Sequence, residues 1–313
     1  MDYFYAVLNQ IVIFMIIIVI GFAAVKTKFI SASVLQPLSI VFTKIIIPVL
    51  VFVNAVSGAT REDMLTLGFF VGVIACVYIA LIIIMTSTKK ILRLSGNRGR
   101  LFPLTFTFGN VGFLGIPLLL SVFGQRIMVL ITMYAIVDML VLWTYGYTHS
   151  FPHDKKLEYT PKALINLINP PIIAILLSII LIMFEIRIPM VIDRSLWSIA
   201  NAGMALPFIY IGGMLATVVN LRSLFKYEYF VGIFIKMILF PIAVFAVLQA
   251  FGLDHNMSIG ISILSGLPTM PLIAMLAATN GSDGEYATGT VMVTTIASLF
   301  TLTLVTYLIT VVL

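Results

Sequence analysis

The sequence predicts an all-α integral membrane protein of about ten transmembrane helices, arranged as a 5+5 inverted repeat with broken crossover helices 4 and 9. Three observations carry that prediction: the composition, a succession of long apolar runs, and two Gly/Pro-interrupted segments at corresponding places in the two halves. Of the 313 residues, 61% are hydrophobic and 10% charged. A soluble domain is roughly half apolar and a quarter charged, so this composition belongs to a chain whose solvent is lipid.

A spanning helix needs roughly 20 mostly apolar residues to cross a hydrocarbon core about 30 Å thick. The first half supplies runs over Tyr3–Val25, Leu35–Val56, Met64–Met85, Leu101–Phe123 and Ile127–Tyr147. The second half supplies Ala163–Phe184, Ser195–Val218, Tyr229–Phe251, Met257–Thr279 and Ala287–Val312. Runs this long and continuous satisfy their backbone in lipid only as helices. No Lys or Arg precedes the first run, which argues against a cleaved signal peptide. The single cysteine, Cys76, excludes an intrachain disulfide. His149, His153 and His255 fall between runs and make no metal cluster, so neither a metal nor another cofactor is expected.

The net charge of +6 sits in short loops between apolar runs, which fits membrane topology and not nucleic-acid binding. Twelve of the 18 Lys and Arg residues lie in the odd-numbered loops, against four on the opposite side. Positive residues remain cytoplasmic, so both termini should face away from the cytoplasm. The absence of a transit segment points to a bacterial inner membrane or a plasma membrane.

Phe69-Phe70-Val71-Gly72-Val73 in the third run matches Tyr229-Phe230-Val231-Gly232-Ile233 in the eighth, and the same alignment pairs Pro48 with Pro207. The expected division is a first five-helix repeat over 1–148, a cytoplasmic linker over 149–162 and a second repeat over 163–313. Because five is odd, the second copy enters the membrane from the opposite side. Secondary transporters use this architecture, with sites near the midplane where broken helices of the two halves meet.

The fourth run contains Gly109-Asn110-Val111-Gly112-Phe113-Leu114-Gly115-Ile116-Pro117. Glycines at three-residue spacing weaken the helix, and Pro117 donates no hydrogen bond. A half-helix N-terminus offers N–H groups and a positive dipole end to a carboxylate. The plainer alternative is close helix packing with a kink. In the ninth run, Ser265-Gly266-Leu267-Pro268-Thr269-Met270-Pro271 sets two prolines three residues apart and favours an unwound stretch. The plainer reading there is a kink whose hydroxyls bond their own backbone. Candidate substrate contacts are therefore Asn110, Gly112, Gly115, Ile116, Pro117, Leu267, Pro268, Thr269 and Pro271.

Intramembrane charge is rare and usually functional. Asp138 lies about 18 Å into the fifth run at 1.5 Å per residue. Three roles are open to it: proton carrier, cation ligand, or partner of a lysine. Lys44, in the second run, is a candidate to attract anions or to pair with Asp138. Lys236 sits at similar depth in the eighth run, where a lysine stem commonly snorkels to the interface. Asn54 and Asn201 are weaker polar candidates.

The stretch Gly109-Asn110-Val111-Gly112-Phe113-Leu114-Gly115-Ile116-Pro117-Leu118 resembles the fourth-helix signature of the auxin efflux carrier family, which includes bacterial malate and malonate permease-like carriers. Asn169-Pro170-Pro171 and Leu267-Pro268 followed by Asn280-Gly281 support the resemblance, which spans the whole chain. It implies a fold similar to bile-acid symporters, a transport domain moving against a scaffold, and a homodimer. In the plant carriers, an asparagine seven residues before the fourth-helix proline meets the substrate carboxylate, and Asn110 holds that position. The ninth-run prolines are closer together here than in the plant carriers, and their long cytoplasmic loop is absent. The function expected is secondary transport of a small organic anion, such as a dicarboxylate or auxin-like acid. Coupling to a proton, to sodium or to neither stays open. The alternatives are a membrane sensor that binds a carboxylate without moving it, and a membrane enzyme, for which no catalytic constellation is present at membrane depth.

Overall fold

The computed structural model describes residues 2–58, 60–66, 68–154, 170–203, 205–217 and 226–309. They form α1 (Asp2–Lys26), α2 (Ala32–Gly58), α3 (Gly68–Ile91), α4a (Gly96–Thr107), α4b (Ile116–Phe123), α5 (Val129–His149) and α6 (Pro170–Met183). There follow α7 (Met190–Thr217), α8 (Tyr227–Ala250), α9a (His255–Ser265), α9b (Pro271–Thr279) and α10 (Gly284–Tyr307). Each predicted run overlaps one of these helices or, for the fourth and ninth, a pair of them. Most of the linker expected over 149–162, the opening of the sixth run and the last residues of the tenth lie outside the described residues.

Among the described residues, six helices (α2, α3, α5, α7, α8 and α10) are long and apolar enough to cross a membrane. The fourth and ninth runs are not, because each is cut into two short pieces. Large apolar side chains on α1, α3 and α6 point outward, among them Ile16, Ile20, Ile79, Ile83, Ile173 and Ile180. In water such a surface would be costly; in lipid it is the ordinary exterior. The interior belongs to the broken helices: every residue from Leu101 to Thr107 and from Ser258 to Ser265 is buried.

Proline explains three of the irregular turns. Wide π turns cover Phe42–Ile46, Val111–Gly115 and Ile235–Leu239, and a proline follows each one two residues later: Pro48, Pro117 and Pro241. A proline ring clashes with the carbonyl four residues back and gives it no N–H. Widening the preceding turn relieves both problems without ending the helix. Pro207 meets the same constraint differently: α7 is interrupted near Gly203, and the proline takes the second position of Leu206–Thr217.

Packing divides the helices into two groups. α1 lies along α7, and α2 lies against α6 and α7. The second group joins α3 to α4a and α5, α8 to α9a, and α9b to α10. At the α1–α7 contact, a Cβ on Gly212 would sit 2.0 Å from the Ile18 carbonyl oxygen, and one on Gly21 would sit 2.3 Å from that of Ile209. The two backbones meet directly, glycine to backbone in both directions, and the Phe14 and Phe208 rings stack beside them at 4.0 Å.

Candidate functional site

The fourth run unwinds at Phe108, Gly109 and Asn110, upstream of where Pro117 alone would place the break. The chain is helical again from Val111, and the wide π turn over Val111–Gly115 accommodates Pro117 without a second break. The ninth run unwinds between Ser265 and Pro271. The two unwound stretches cross and pair as a single antiparallel β-bridge between Gly109 and Thr269. Asn110 N–H donates to the Pro268 carbonyl at 2.8 Å, and Met270 N–H donates to the Phe108 carbonyl at 3.2 Å. Close approach needs the glycine, since a Cβ on Gly109 would lie 3.0 Å from Leu267 Cβ.

Neighbouring helices satisfy the remaining groups. Thr269 N–H donates to Thr294 Oγ1 of α10 at 3.1 Å, and the Thr269 hydroxyl donates to the Thr105 carbonyl at 2.8 Å. The Lys236 ammonium of α8 donates to the Leu267 carbonyl. The Asn110 carbonyl accepts from Leu114 and Gly115 at 3.1 and 3.0 Å. Irregular backbone at membrane depth is tolerated only when met in this way.

Beside the crossing lies a cavity of about 60 Å³, on the order of four water volumes. Its walls are Leu50, Val51, Asn54 and Ala55 of α2, Val111 and Gly112 of the π turn that leads into α4b, Ile116 of α4b, and a face of α5 that includes Thr132 and Asp138. Gly112 faces open space, with nothing within 4 Å of a built Cβ. Asn54 donates from Nδ2 to the Leu50 carbonyl at 2.8 Å, which leaves its side-chain oxygen as the acceptor end. Asp138 is fully buried, and its Oδ1 accepts from the Tyr78 hydroxyl at 2.5 Å. Its Oδ2 has no hydrogen-bond partner among the described residues. The Tyr78 ring lies 6.1 Å from that of Phe108, so the acid is tied through α3 to the crossing itself.

The predicted residues therefore divide. Gly112, Ile116 and Asp138 line the cavity, and Asn110 directly precedes the lining residues. Leu267, Pro268, Thr269 and Pro271 are buried in the crossing and do not line the cavity. Gly115 serves packing: a Cβ there would lie 2.8 Å from both Leu264 Cδ2 and Leu267 Cδ1. The side chain of Pro117 lies outside the described residues. Lys44 is exposed, in the π turn of α2, and is not the basic group near Asp138. That group is Lys236, which is fully buried and does not snorkel. Its signal was present as a lysine inside an apolar run, but the stem had two destinations and only tertiary packing chooses between them. Tyr78 and Thr132 were missed because nothing in their local sequence pairs them with residue 138 or the cavity. Asn54 gains weight, whereas Asn201 is exposed.

A second polar cluster binds the starts of α4a, α8 and α10. Arg98 pairs with the buried Glu228, and this hydrogen bond holds the guanidinium above its ordinary pKa. The Tyr229 hydroxyl donates to the Tyr286 carbonyl at 2.9 Å, and the Lys226 ammonium sits 4.7 Å from the Tyr286 ring centre.

A family model described as membrane transport protein matches residues 6–306. The chain belongs to the auxin efflux carrier family of membrane transport proteins. No curated protein matches it. As a member of that family it is a multi-pass membrane transporter, and the match covers both broken helices and the cavity beside their crossing.

Proposed function

We propose that the protein is a secondary carrier of a small organic carboxylate, working by alternating access with its binding site at the crossing of the fourth and ninth helices. The observation that carries this reading is the juxtaposition of the paired breaks with a cavity at the start of α4b. Amides at a helix start favour an anion, and Asn110 adds a neutral amide beside them. The two packing groups support a moving and a static part, with α1, α2, α6 and α7 as the scaffold. The reciprocal pairing of α1 with α7 and α6 with α2 is also what an inverted 5+5 repeat requires. Both termini are then extracytoplasmic, and the family resemblance adds a homodimer. The substrate class we favour is a dicarboxylate or an auxin-like acid.

The test is counterflow in proteoliposomes with radiolabelled malate, malonate, lactate and indole acetate. Wild-type protein should accumulate at least one acid saturably, and Asn110→Ala should lower that rate by about tenfold or more, equivalent to one lost hydrogen bond to a charged group. Undiminished flux in a well-folded Asn110→Ala variant would remove Asn110 from the site.

A further inference from the structure

We infer that Asp138 is a proton-binding site loaded together with the substrate, so that the carrier moves its carboxylate with a proton. This rests on the transport reading above and specifies its coupling. The argument begins with the cavity wall. Asp138 is fully buried, one of its oxygens is held by Tyr78, and the other is unpartnered in a residue that lines the cavity. If the carboxylate cargo occupies that cavity, two carboxyl groups share one small space. Two like charges a few Å apart in a medium of low dielectric repel strongly, so such a pair holds one proton between its members.

The surroundings select a proton over a metal cation. From α3, Asp138 faces Tyr78; from its own helix, Tyr134; and from α8, the buried Lys236. α2 contributes Asn54, which does not titrate, and the turn leading into α4b contributes Val111, Gly112 and Ile116 among the described residues. A hard cation wants about six oxygen ligands. Thr132, Asn54 and one carboxylate supply fewer. A proton needs a single free oxygen, and Oδ2 is one.

In the cycle, a solvent proton forms an O–H bond at Oδ2 as the anion enters. The same bond breaks after the site opens to the other side, returning the proton to water. For a monocarboxylate the loaded site gains no net charge; for a dicarboxylate it gains one negative charge. The Lys236 amine, donating to the Leu267 carbonyl, keeps the crossing backbone fixed through both steps.

The experiment uses full-length protein in proteoliposomes loaded with a pH-sensitive dye, with the membrane potential clamped. The probe is labelled malonate, which leaks poorly, or whichever of the four acids gives counterflow. With an acidic exterior, accumulation should rise by about tenfold per pH unit of gradient for one proton per substrate, and the lumen should acidify in step. A sodium gradient at equal pH should do nothing. Asp138→Asn should lose both gradient-driven accumulation and lumen acidification, and the counterflow it retains should no longer vary with pH. Tyr78→Phe, which keeps the ring and removes the donor to the ionised acid, should move the pH profile of uptake upward. Active wild-type counterflow with accumulation indifferent to pH, or driven by sodium, would overturn the proton site and leave the carrier standing. Absence of wild-type counterflow with every acid would remove the transport reading and the proton site with it.

Discussion

Thr269 shows how closely single residues are committed at the crossing. Its hydroxyl donates to Thr105 and its amide to Thr294, so one residue ties the break in the ninth run to α4a and α10. Thr269→Val keeps the shape and removes the donor, leaving a buried carbonyl short of a partner. The expected cost is about 1–3 kcal/mol, measurable as a lower unfolding midpoint in detergent, while Thr269→Ser stays near wild type. Which residues were legible follows the same logic. Asp138 and Asn110 announced themselves because a charge or an amide in an apolar run has no cheap explanation. Tyr78, Thr132 and the inward course of Lys236 did not, because tyrosines, threonines and lysines all have innocent uses in membrane helices. Only the partner decides, and the partner is far away in sequence.

At the scale of the element, glycine spacing and proline rings decide where helices touch and where they loosen. Gly212 allows α7 to meet the backbone of α1, and a methyl group 2.0 Å from a carbonyl oxygen cannot be absorbed by a rotamer change. Gly212→Ala should therefore cost more than the ~1–3 kcal/mol of ordinary overpacking. Gly72→Ala on α3, with nothing within 4 Å, should be neutral or slightly stabilising. Thermal unfolding of the two variants side by side tests the contrast. The existence of both breaks was readable from Gly and Pro, but the position of the first was not. Pro117 looked like the breaking point, but the wide turn over Val111–Gly115 accommodates it and the helix runs on through it. The break falls where two extended stretches can pair, a tertiary condition with no local signature.

For the whole molecule, the apolar runs set the spans, and the loop charges carry the proposed orientation. Hydrophobic length is imposed by the bilayer, which is why the runs were readable. The grouping of helices was not, because a lipid-facing stripe and a helix-facing stripe are equally apolar in such a chain. Orientation can be checked with single cysteines in a Cys76→Ser background. A membrane-impermeant maleimide added to intact cells should label Arg61→Cys and leave Asp154→Cys unlabelled until the cells are opened. Both positions are exposed and lie in loops assigned to opposite sides.

The bridge at Gly109 and Thr269 also bears on biogenesis. The amide of Asn110 finds its acceptor at Pro268, and the carbonyl of Phe108 finds its donor at Met270. Both partners are synthesised about 160 residues later than the groups they satisfy. While the ribosome is still making that interval, the fourth span cannot adopt its final form in lipid without leaving peptide groups unmet. It must wait, held as an ordinary helix or kept near water and the insertion machinery, until its counterpart arrives. Neither broken helix therefore reaches its final form alone, and the pairing of the two breaks waits for the synthesis of both halves.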